Sequence, residues 1–198
     1  MTRARRTGWL ASLAVLAGGG CAHVPLGEDG LSYPQRRERL EAVQSWRMQG
    51  RIAIDTGERA FQGRFRWQQD ADALELSIHS PLGAGIMEVA GPPERLTVRA
   101  RGETWELMDP EPELSALLGW WLPVRSLKSW LLGFSDPAFA AREQLGPDRA
   151  LQSLEQRLWQ LTYQSYQLAD GLLLPRRIDL SHGNLALRVI VDRWQPSS

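Results

Sequence analysis

The segment Phe61-Gln62-Gly63-Arg64-Phe65-Arg66-Trp67-Gln68 decides the fold class, because its polarity changes at every second residue. Successive side chains of a β-strand point to opposite faces of the sheet. One face here carries Phe61, Phe65 and Trp67, and the other carries arginine and glutamine. A strand with one apolar and one charged face is typical of an antiparallel sheet that covers a core. We therefore predict a half-buried antiparallel strand over residues 61–68.

The same alternation recurs on both sides of this segment, with turn residues between the repeats. It predicts further strands over residues 51–54, 74–79, 86–90, 96–101, 103–107, 158–163, 176–180 and 185–191. Helical spacing of apolar residues predicts helices over 34–43, 111–120 and 124–132, while residues 135–149 carry mixed signals and receive no assignment. The expected fold is mainly β, a long curved antiparallel sheet whose apolar face the mid-chain helices cover. Whether the space between sheet and helices is filled or hollow stays open.

The N-terminal segment has the order of a secretory leader. Three arginines among the first six residues precede an apolar run over 9–17, three glycines over 18–20 and Cys21, which is the only cysteine of the chain. The apolar run is too short to cross a bilayer as a helix, which takes about 20 residues. We predict a signal peptide over 1–20, a lipidated Cys21 with a flexible tether over 21–33, and a single domain over 34–198. Gly18 departs from the aliphatic residue usual in lipoprotein signals, so an ordinary signal peptide is the alternative.

Composition excludes several function classes. Without residues 1–20 the chain has 20 basic and 23 acidic residues, a net charge of −3, and no basic block. Nucleic-acid binding relies on clustered basic residues, so it is not expected. Three scattered histidines beside a single cysteine argue against a structural zinc site, and no cofactor motif is present. No serine lies in a nucleophile elbow and no triad is visible, so we do not expect an enzyme.

Two features look unusual for a simple core. Leu82 lies in the segment His79-Ser80-Pro81-Leu82-Gly83-Ala84-Gly85, a predicted loop whose tip should be exposed. Burying a leucine contributes about 1.5–3 kcal/mol, so Leu82 either folds back as a plug or contacts a membrane or a partner. Eight tryptophans follow the leader, among them Trp67, Trp120 and Trp130, and they fit either a packed core or the wall of an apolar cavity.

These features together resemble the LolB family of outer-membrane lipoproteins over residues 46–194. The resemblance rests on Arg64-Phe65-Arg66-Trp67-Gln68-Gln69, on Ser80-Pro81-Leu82-Gly83, on Leu122-Pro123-Val124-Arg125-Ser126-Leu127 with Trp130-Leu131-Leu132-Gly133, and on a closing strand that ends in Trp194. The resemblance lies in the order and spacing of these motifs behind a cysteine.

The resemblance implies a strongly curved, half-open antiparallel β-barrel with a helical lid and an apolar cavity. It implies an outer-membrane receptor facing the periplasm, which accepts acylated lipoproteins from a LolA-like periplasmic carrier and inserts them into the inner leaflet. Pro81, Leu82 and Gly83 match the family's membrane-insertion loop. The resemblance therefore favours contact of Leu82 with a membrane or a partner over packing of Leu82 back onto the sheet as a plug. We hypothesise that Phe65, Trp67, Trp120 and Trp130 line or cover the acyl-chain cavity.

Other expectations follow from the same resemblance. Ala22 after the lipidated cysteine fits sorting to the outer membrane. A monomer without cofactor or metal is expected. The alternative is a structural or assembly-factor lipoprotein of the outer membrane, whose aromatic side chains would fill the core and which would bind no acyl chain.

Overall fold

The computed structural model describes residues 30–197. The predicted signal peptide, Cys21 and most of the predicted tether lie outside the described residues. This described part of the chain contains three helices and eleven strands: α1 Tyr33–Glu41, β1 Ser45–Asp55, β2 Ala60–Asp70, β3 Ala73–His79, β4 Gly85–Gly91, β5 Leu96–Ala100, β6 Glu103–Leu107, α2 Pro110–Leu118, α3 Val124–Leu132, β7 Ala141–Leu145, β8 Leu151–Gln156, β9 Trp159–Ala169, β10 Leu172–His182 and β11 Leu185–Ser197.

All eleven strands form one antiparallel sheet in the order β6-β5-β4-β3-β2-β1-β11-β10-β9-β8-β7. Two meanders, β1 to β6 and β7 to β11, are joined where β1 pairs with β11, from Ser45 opposite Ser197 to Asp55 opposite Ala186. Within the described residues the outer strands β6 and β7 do not pair with each other, so the sheet stays open. The prediction of a mainly β fold with a curved, half-open sheet under helices is confirmed.

The meander order places alternate turns at the same end of the sheet. The β3–β4 loop lies at the end that also carries the β1–β2, β5–β6, β8–β9 and β10–β11 turns. The β2–β3, β4–β5, β7–β8 and β9–β10 turns lie at the other end. Exposed side chains in the first group of turns therefore lie at the same end of the sheet as the β3–β4 loop.

Gly50 marks a bend at the centre of the sheet. The pairing of β1 with β11 shifts register between Gln49 and Gly50, which is a β-bulge. A Cβ atom on Gly50 would overlap the carbonyl oxygen of Ile190 on the neighbouring strand. Bulges increase the local twist and bend a strand. Only glycine fits this close approach of two backbones.

The three helices lie on the concave side of the sheet and complete its core. Helix α3 begins after Pro123 and ends at Gly133, whose φ of 96° lies in the left-handed region that favours glycine. Apolar residues of all three helices belong to the same buried cluster as the strand residues. Over residues 30–197, no helix has the length and apolar character needed to span a membrane.

Most predicted elements are present with longer bounds, and two strands were missed. The strand predicted over 51–54 begins at Ser45, and the last strand runs past Trp194 to Ser197. Strand β7 lies within the unassigned residues 135–149, and β8 precedes the strand predicted from residue 158. Helix α2 ends at Leu118, so Trp120 belongs to the α2–α3 connection rather than to the helix.

Candidate functional site

A cavity of about 150 Å³ lies between the concave face of the sheet and the two mid-chain helices. Every side chain that lines it is apolar, so it offers no hydrogen-bonding group to a polar ligand. Such a lining suits hydrocarbon. The sheet contributes Met48, Ile52, Ile54, Phe65, Trp67, Leu74, Leu76, Ile78, Met87, Val89, Leu96, Leu180, Leu187 and Val189, and the helical segment contributes Leu114, Leu118, Trp120, Leu122, Val124, Leu127 and Leu131.

Local periodicity explains why these side chains meet. On β2 the side chains of Phe65 and Trp67 point inward, while the intervening Arg66 is exposed. On α3 the residues Val124, Leu127 and Leu131 are three and four positions apart, so they share one face of the helix. The cavity is therefore built from one face of a strand pattern and one face of a helix pattern.

Aromatic packing fixes the indole of Trp67 at the cavity wall. Its ring stacks on Trp46 with centroids 6.0 Å apart, and Trp194 packs edge-on against Trp46 at 5.2 Å. The Nε1–H of Trp67 donates to Oε1 of Gln69 at 3.0 Å. Its polar atom is thus satisfied by the protein, and the rest of the ring is available to apolar contacts.

The structure brings three of the four predicted cavity residues together. Phe65 and Trp67 line the cavity from β2, and Trp120 lines it from the α2–α3 connection. Trp130 does not line it: its side chain is 0% exposed and lies in the packed core, so the prediction that it lines or covers the cavity is corrected. Its Nε1–H donates to Oε1 of Gln156 at 2.7 Å, on a face of α3 adjacent to that of Leu127 and Leu131.

The part of the core around Trp130 is held by a buried polar network. Gln156 accepts hydrogen bonds from Trp130 and from the Asp136 backbone, and donates to the carbonyls of Asp136 and Phe139. The ring of Trp159 packs at 6.3 Å from that of Trp130. Buried polar groups with satisfied partners fix one arrangement of a core. This region is filled, in contrast to the hollow under α2 and α3.

An ion pair fastens the helical segment to the sheet. Arg157, in the β8–β9 turn, donates two hydrogen bonds to the carboxylate of Glu111 on α2, at 2.9 and 2.6 Å. The two side chains are only 13% and 15% exposed. The guanidinium also lies over the rings of Phe139 and Trp121, at 4.1 and 4.9 Å.

The sequence did not predict this ion pair. An acidic residue such as Glu111 is common at the start of a helix, and Arg157 lies in an irregular turn.

A second charged contact joins α3 to the other end of the sheet. Lys128 donates to the carbonyl of Ala71 at 2.8 Å and lies 3.5 Å from the carboxylate of Asp72. Helix α2 is therefore held by Arg157, whereas α3 is held by Lys128 and also through Trp130, which donates to Gln156 and accepts a hydrogen bond from the Tyr163 hydroxyl at its carbonyl. Within residues 30–197 no three metal-ligating side chains converge.

The β3–β4 loop presents Leu82 to solvent on a hydrogen-bonded turn. The amide of Gly83 donates to the Ser80 carbonyl at 2.9 Å, and the amide of Ser80 donates to the Ala84 carbonyl at 2.8 Å. The Ser80 hydroxyl accepts from the Ala84 amide at 3.1 Å. With its backbone fixed in this way, Leu82 is 98% exposed. The plug alternative does not describe this conformation, because Leu82 is not folded back onto the sheet.

Comparisons with known proteins agree with this geometry. The family model "Outer membrane lipoprotein LolB" matches residues 44–194. An outer-membrane lipoprotein LolB of Nitrosococcus oceani is 34% identical over 192 residues, covering 94% of each chain. Another, from Aeromonas hydrophila, is 31% identical over 195 residues, covering 98% of each chain.

A solved structure supports the fold independently of sequence. A LolA superfamily protein from Nitrosomonas europaea superposes with a TM-score of 0.51 at 9% identity, covering 85% of this chain and 94% of the other. At that identity the likeness concerns the fold alone. The family match over residues 44–194 and the two relatives show that the chain belongs to the outer-membrane lipoprotein LolB family.

Proposed function

We propose that this protein is an outer-membrane receptor that accepts acylated lipoproteins from a LolA-like periplasmic carrier and inserts them into the outer membrane. The observation that carries the proposal is the wholly apolar cavity beneath α2 and α3. Membership of the LolB family supports the same role. In this proposal the protein acts as a monomer, anchored through Cys21 to the inner leaflet and facing the periplasm.

The energetics of acyl chains explain why a receptor is needed. Each methylene exposed to water costs about 0.8 kcal/mol, so a chain of about 15 methylenes costs about 12 kcal/mol. Free diffusion of an acylated protein through water is therefore negligible. Cargo has to pass directly from one apolar cavity to another, and then to the bilayer. The step needs no bond to form or break, which fits a binding protein rather than an enzyme.

The size of the cavity supports a movement of the helical segment when cargo binds. A volume of about 150 Å³ matches that of an apolar cavity that holds one benzene molecule. That is too small for even one long acyl chain. We propose that α2 and the α2–α3 connection move away from the sheet, which breaks the Arg157–Glu111 contact, while Trp130 keeps α3 in the core. Phe65, Trp67 and Trp120 then contact the acyl chains.

Leu82 has a separate role in this proposal, at the release step. An exposed leucine on an ordered loop contributes nothing to the core, yet it gains about 1.5–3 kcal/mol on entering hydrocarbon. We propose that Pro81, Leu82 and Gly83 form the loop that enters the membrane surface or contacts the acyl chains as they leave the cavity.

A transfer assay tests the proposed function. The purified protein is reconstituted into vesicles, and a competent carrier loaded with a fluorescently labelled lipoprotein is added. The proposal predicts that label leaves the carrier and floats with vesicles that contain the protein, and not with empty vesicles. If the label stays on the carrier, the protein is a structural lipoprotein instead. A second acceptor known to unload the same carrier is the control.

A further inference from the structure

Six exposed arginines lie together on the outer face of the three central strands. They are contributed by β1, β2 and β11, which are neighbours in the sheet. We call them the arginine face: Arg47, Arg51, Arg64, Arg66, Arg188 and Arg193. They form a local excess of positive charge on a chain whose predicted mature form has a net charge of −3.

Acidic groups of the protein neutralise only part of this charge. Arg51 pairs with Asp192 at 2.9 Å, and Arg188 pairs with Asp179 at 2.8 Å. Among the described residues, Arg64 and Arg66 form no ion pair within 4 Å, and the acidic side chains that line the same depression as Arg66 are Glu75 and Glu88. Arg64 lies directly opposite Arg51 in the β1–β2 register, an arrangement of like charges that destabilises a sheet. Folding does not explain this arrangement, whereas an external anion would.

The loop of Leu82 stands at the rim of the arginine face. Two shallow depressions cross the outer surface there. Pro81 lines one of them together with Arg64 and Arg188, and Gly83 lines the other together with Arg64 and Arg66. The most exposed large apolar side chain of residues 30–197, Leu82, therefore stands beside the unpaired arginines.

We propose that the arginine face binds the phosphates of anionic lipid headgroups while Leu82 enters the acyl region beside them. The proposal rests on the proposed function, because it takes Leu82 as a membrane contact. Guanidinium groups match phosphate oxygens with parallel hydrogen bonds. Each basic residue at an anionic surface strengthens binding about fivefold. An apolar side chain next to basic residues is the composition of an interfacial membrane site.

This binding mode sets the orientation of the domain. On β2 the cavity side chain Phe65 alternates with Arg64 and Arg66, so the cavity and the arginines lie on opposite faces of the same strand. With the arginine face on the lipid, helices α2 and α3 point toward the periplasm. The cavity is then accessible to a carrier while the release loop stays at the bilayer.

A distance measurement on the full-length protein tests the proposal. Cys21 is the only cysteine and is predicted to be acylated, so an introduced cysteine is the sole free thiol. A fluorophore is placed at Gln62→Cys, on the arginine side of β2, or at Gln152→Cys, on the distant strand β8. The anchored protein is reconstituted into phosphatidylcholine vesicles with or without phosphatidylglycerol, and both contain a lipid with a spin-label quencher on its headgroup.

The proposal predicts strong quenching at position 62 in phosphatidylglycerol vesicles, at least fivefold weaker quenching after Arg64→Gln with Arg66→Gln, and little quenching at position 152. The matched control Arg142→Gln, an exposed arginine of the edge strand β7, keeps the quenching. Equal quenching at positions 62 and 152, or quenching that the double substitution does not change, overturns the proposal. Denaturant unfolding of each variant confirms that the fold is intact.

The same vesicles separate this proposal from the proposed function. Wild-type acceptance of labelled cargo from the carrier reports the function, and quenching at position 62 reports lipid contact. If the double variant keeps its quenching but loses acceptance, the arginines bind the carrier and the lipid proposal is overturned. If the wild type shows quenching but accepts no cargo, the proposed function fails and the lipid contact stands.

Discussion

Replacing Leu82 with glutamate should separate acceptance of cargo from its insertion. The side chain is 98% exposed, and the backbone hydrogen bonds that hold the loop do not involve it. The free energy of unfolding should therefore change by less than about 0.5 kcal/mol, the usual range for surface substitutions. The cavity lies on the concave face and does not include Leu82, so cargo should still leave the carrier.

The effect on insertion should be large. A leucine gains about 1.5–3 kcal/mol on entering hydrocarbon, and each 1.4 kcal/mol corresponds to a factor of ten. Loss of this term alone slows insertion by about 10-fold to 150-fold, and the glutamate charge adds a desolvation cost to it. Leu168→Glu is the matched control, because Leu168 is 52% exposed but lies by the β9–β10 turn at the other end of the sheet.

The assay follows two populations of labelled cargo in vesicles that contain the receptor. Chemical crosslinking to the receptor measures acceptance, and flotation after an alkaline wash measures insertion. We expect Leu82→Glu to accumulate receptor-bound cargo with little insertion, and Leu168→Glu to behave as the wild type. Insertion at the wild-type rate by Leu82→Glu would contradict a role of Leu82 in insertion. Equal defects in both variants would show that any added charge blocks the step.

Three further predictions concern the lid, the bend and the tyrosines. Glu111→Gln should weaken the contact with Arg157 by about 2 kcal/mol, the usual contribution of a hydrogen bond to a charged group. The variant should therefore take up a fluorescent fatty acid faster than the wild type. Glu155→Gln, which removes the charge from an exposed ion pair, is the control. Gly50→Ala should lower the free energy of unfolding in urea by at least about 1–3 kcal/mol, because its Cβ overlaps the Ile190 carbonyl. Burial raises the pKa of all three tyrosines, which are Tyr33, Tyr163 and Tyr166. Tyrosinate absorbance should therefore appear only when the protein unfolds at alkaline pH.

Each of these predictions has a result that would contradict it. Unchanged fatty-acid entry in Glu111→Gln would mean that the ion pair does not restrain the helices. An unchanged free energy of unfolding in Gly50→Ala would show that the backbone of the β-bulge shifts to make room for the added Cβ. The pKa values of the tyrosines are higher in the folded than in the unfolded protein. Their contribution to the free energy of unfolding is therefore fully present below a pH of about 10 and is lost as the pH rises above it. Gradual titration near pH 10 with the fold intact would contradict the burial of the three hydroxyls.

The strands that the sequence predicted are those with one buried face, and the missed strands lack that pattern. Strand β7, Ala141–Leu145, is an edge strand with almost no buried side chain, so its sequence has no apolar alternation. Strand β8 buries Leu151, Leu154 and also Gln156, whose amide is satisfied by the polar network. A buried glutamine gives no apolar signal, and its partners are 17 residues or more away in the chain.

The exposed loop could be predicted from sequence, and the cavity could not. Pro81 and Gly83 around a lone leucine indicate a turn tip, which the structure bears out by exposure of Leu82. The cavity is lined by the same residue types that fill the core, so composition cannot tell a hollow from a packed region. Trp130 illustrates this limit: helical spacing places it inward, but only the rotation of α3 decides whether it meets the cavity or Gln156.

The central claim is that acyl chains occupy the cavity between the sheet and helices α2 and α3. A lipoprotein whose acyl chains carry a photoreactive group is transferred from the carrier to the anchored receptor, and crosslinked peptides are mapped by mass spectrometry. We expect crosslinks to cavity residues such as Trp67, Leu127 and Leu131, and none to Trp130. Crosslinks confined to the outer face of the sheet, with cargo transfer intact, would contradict it.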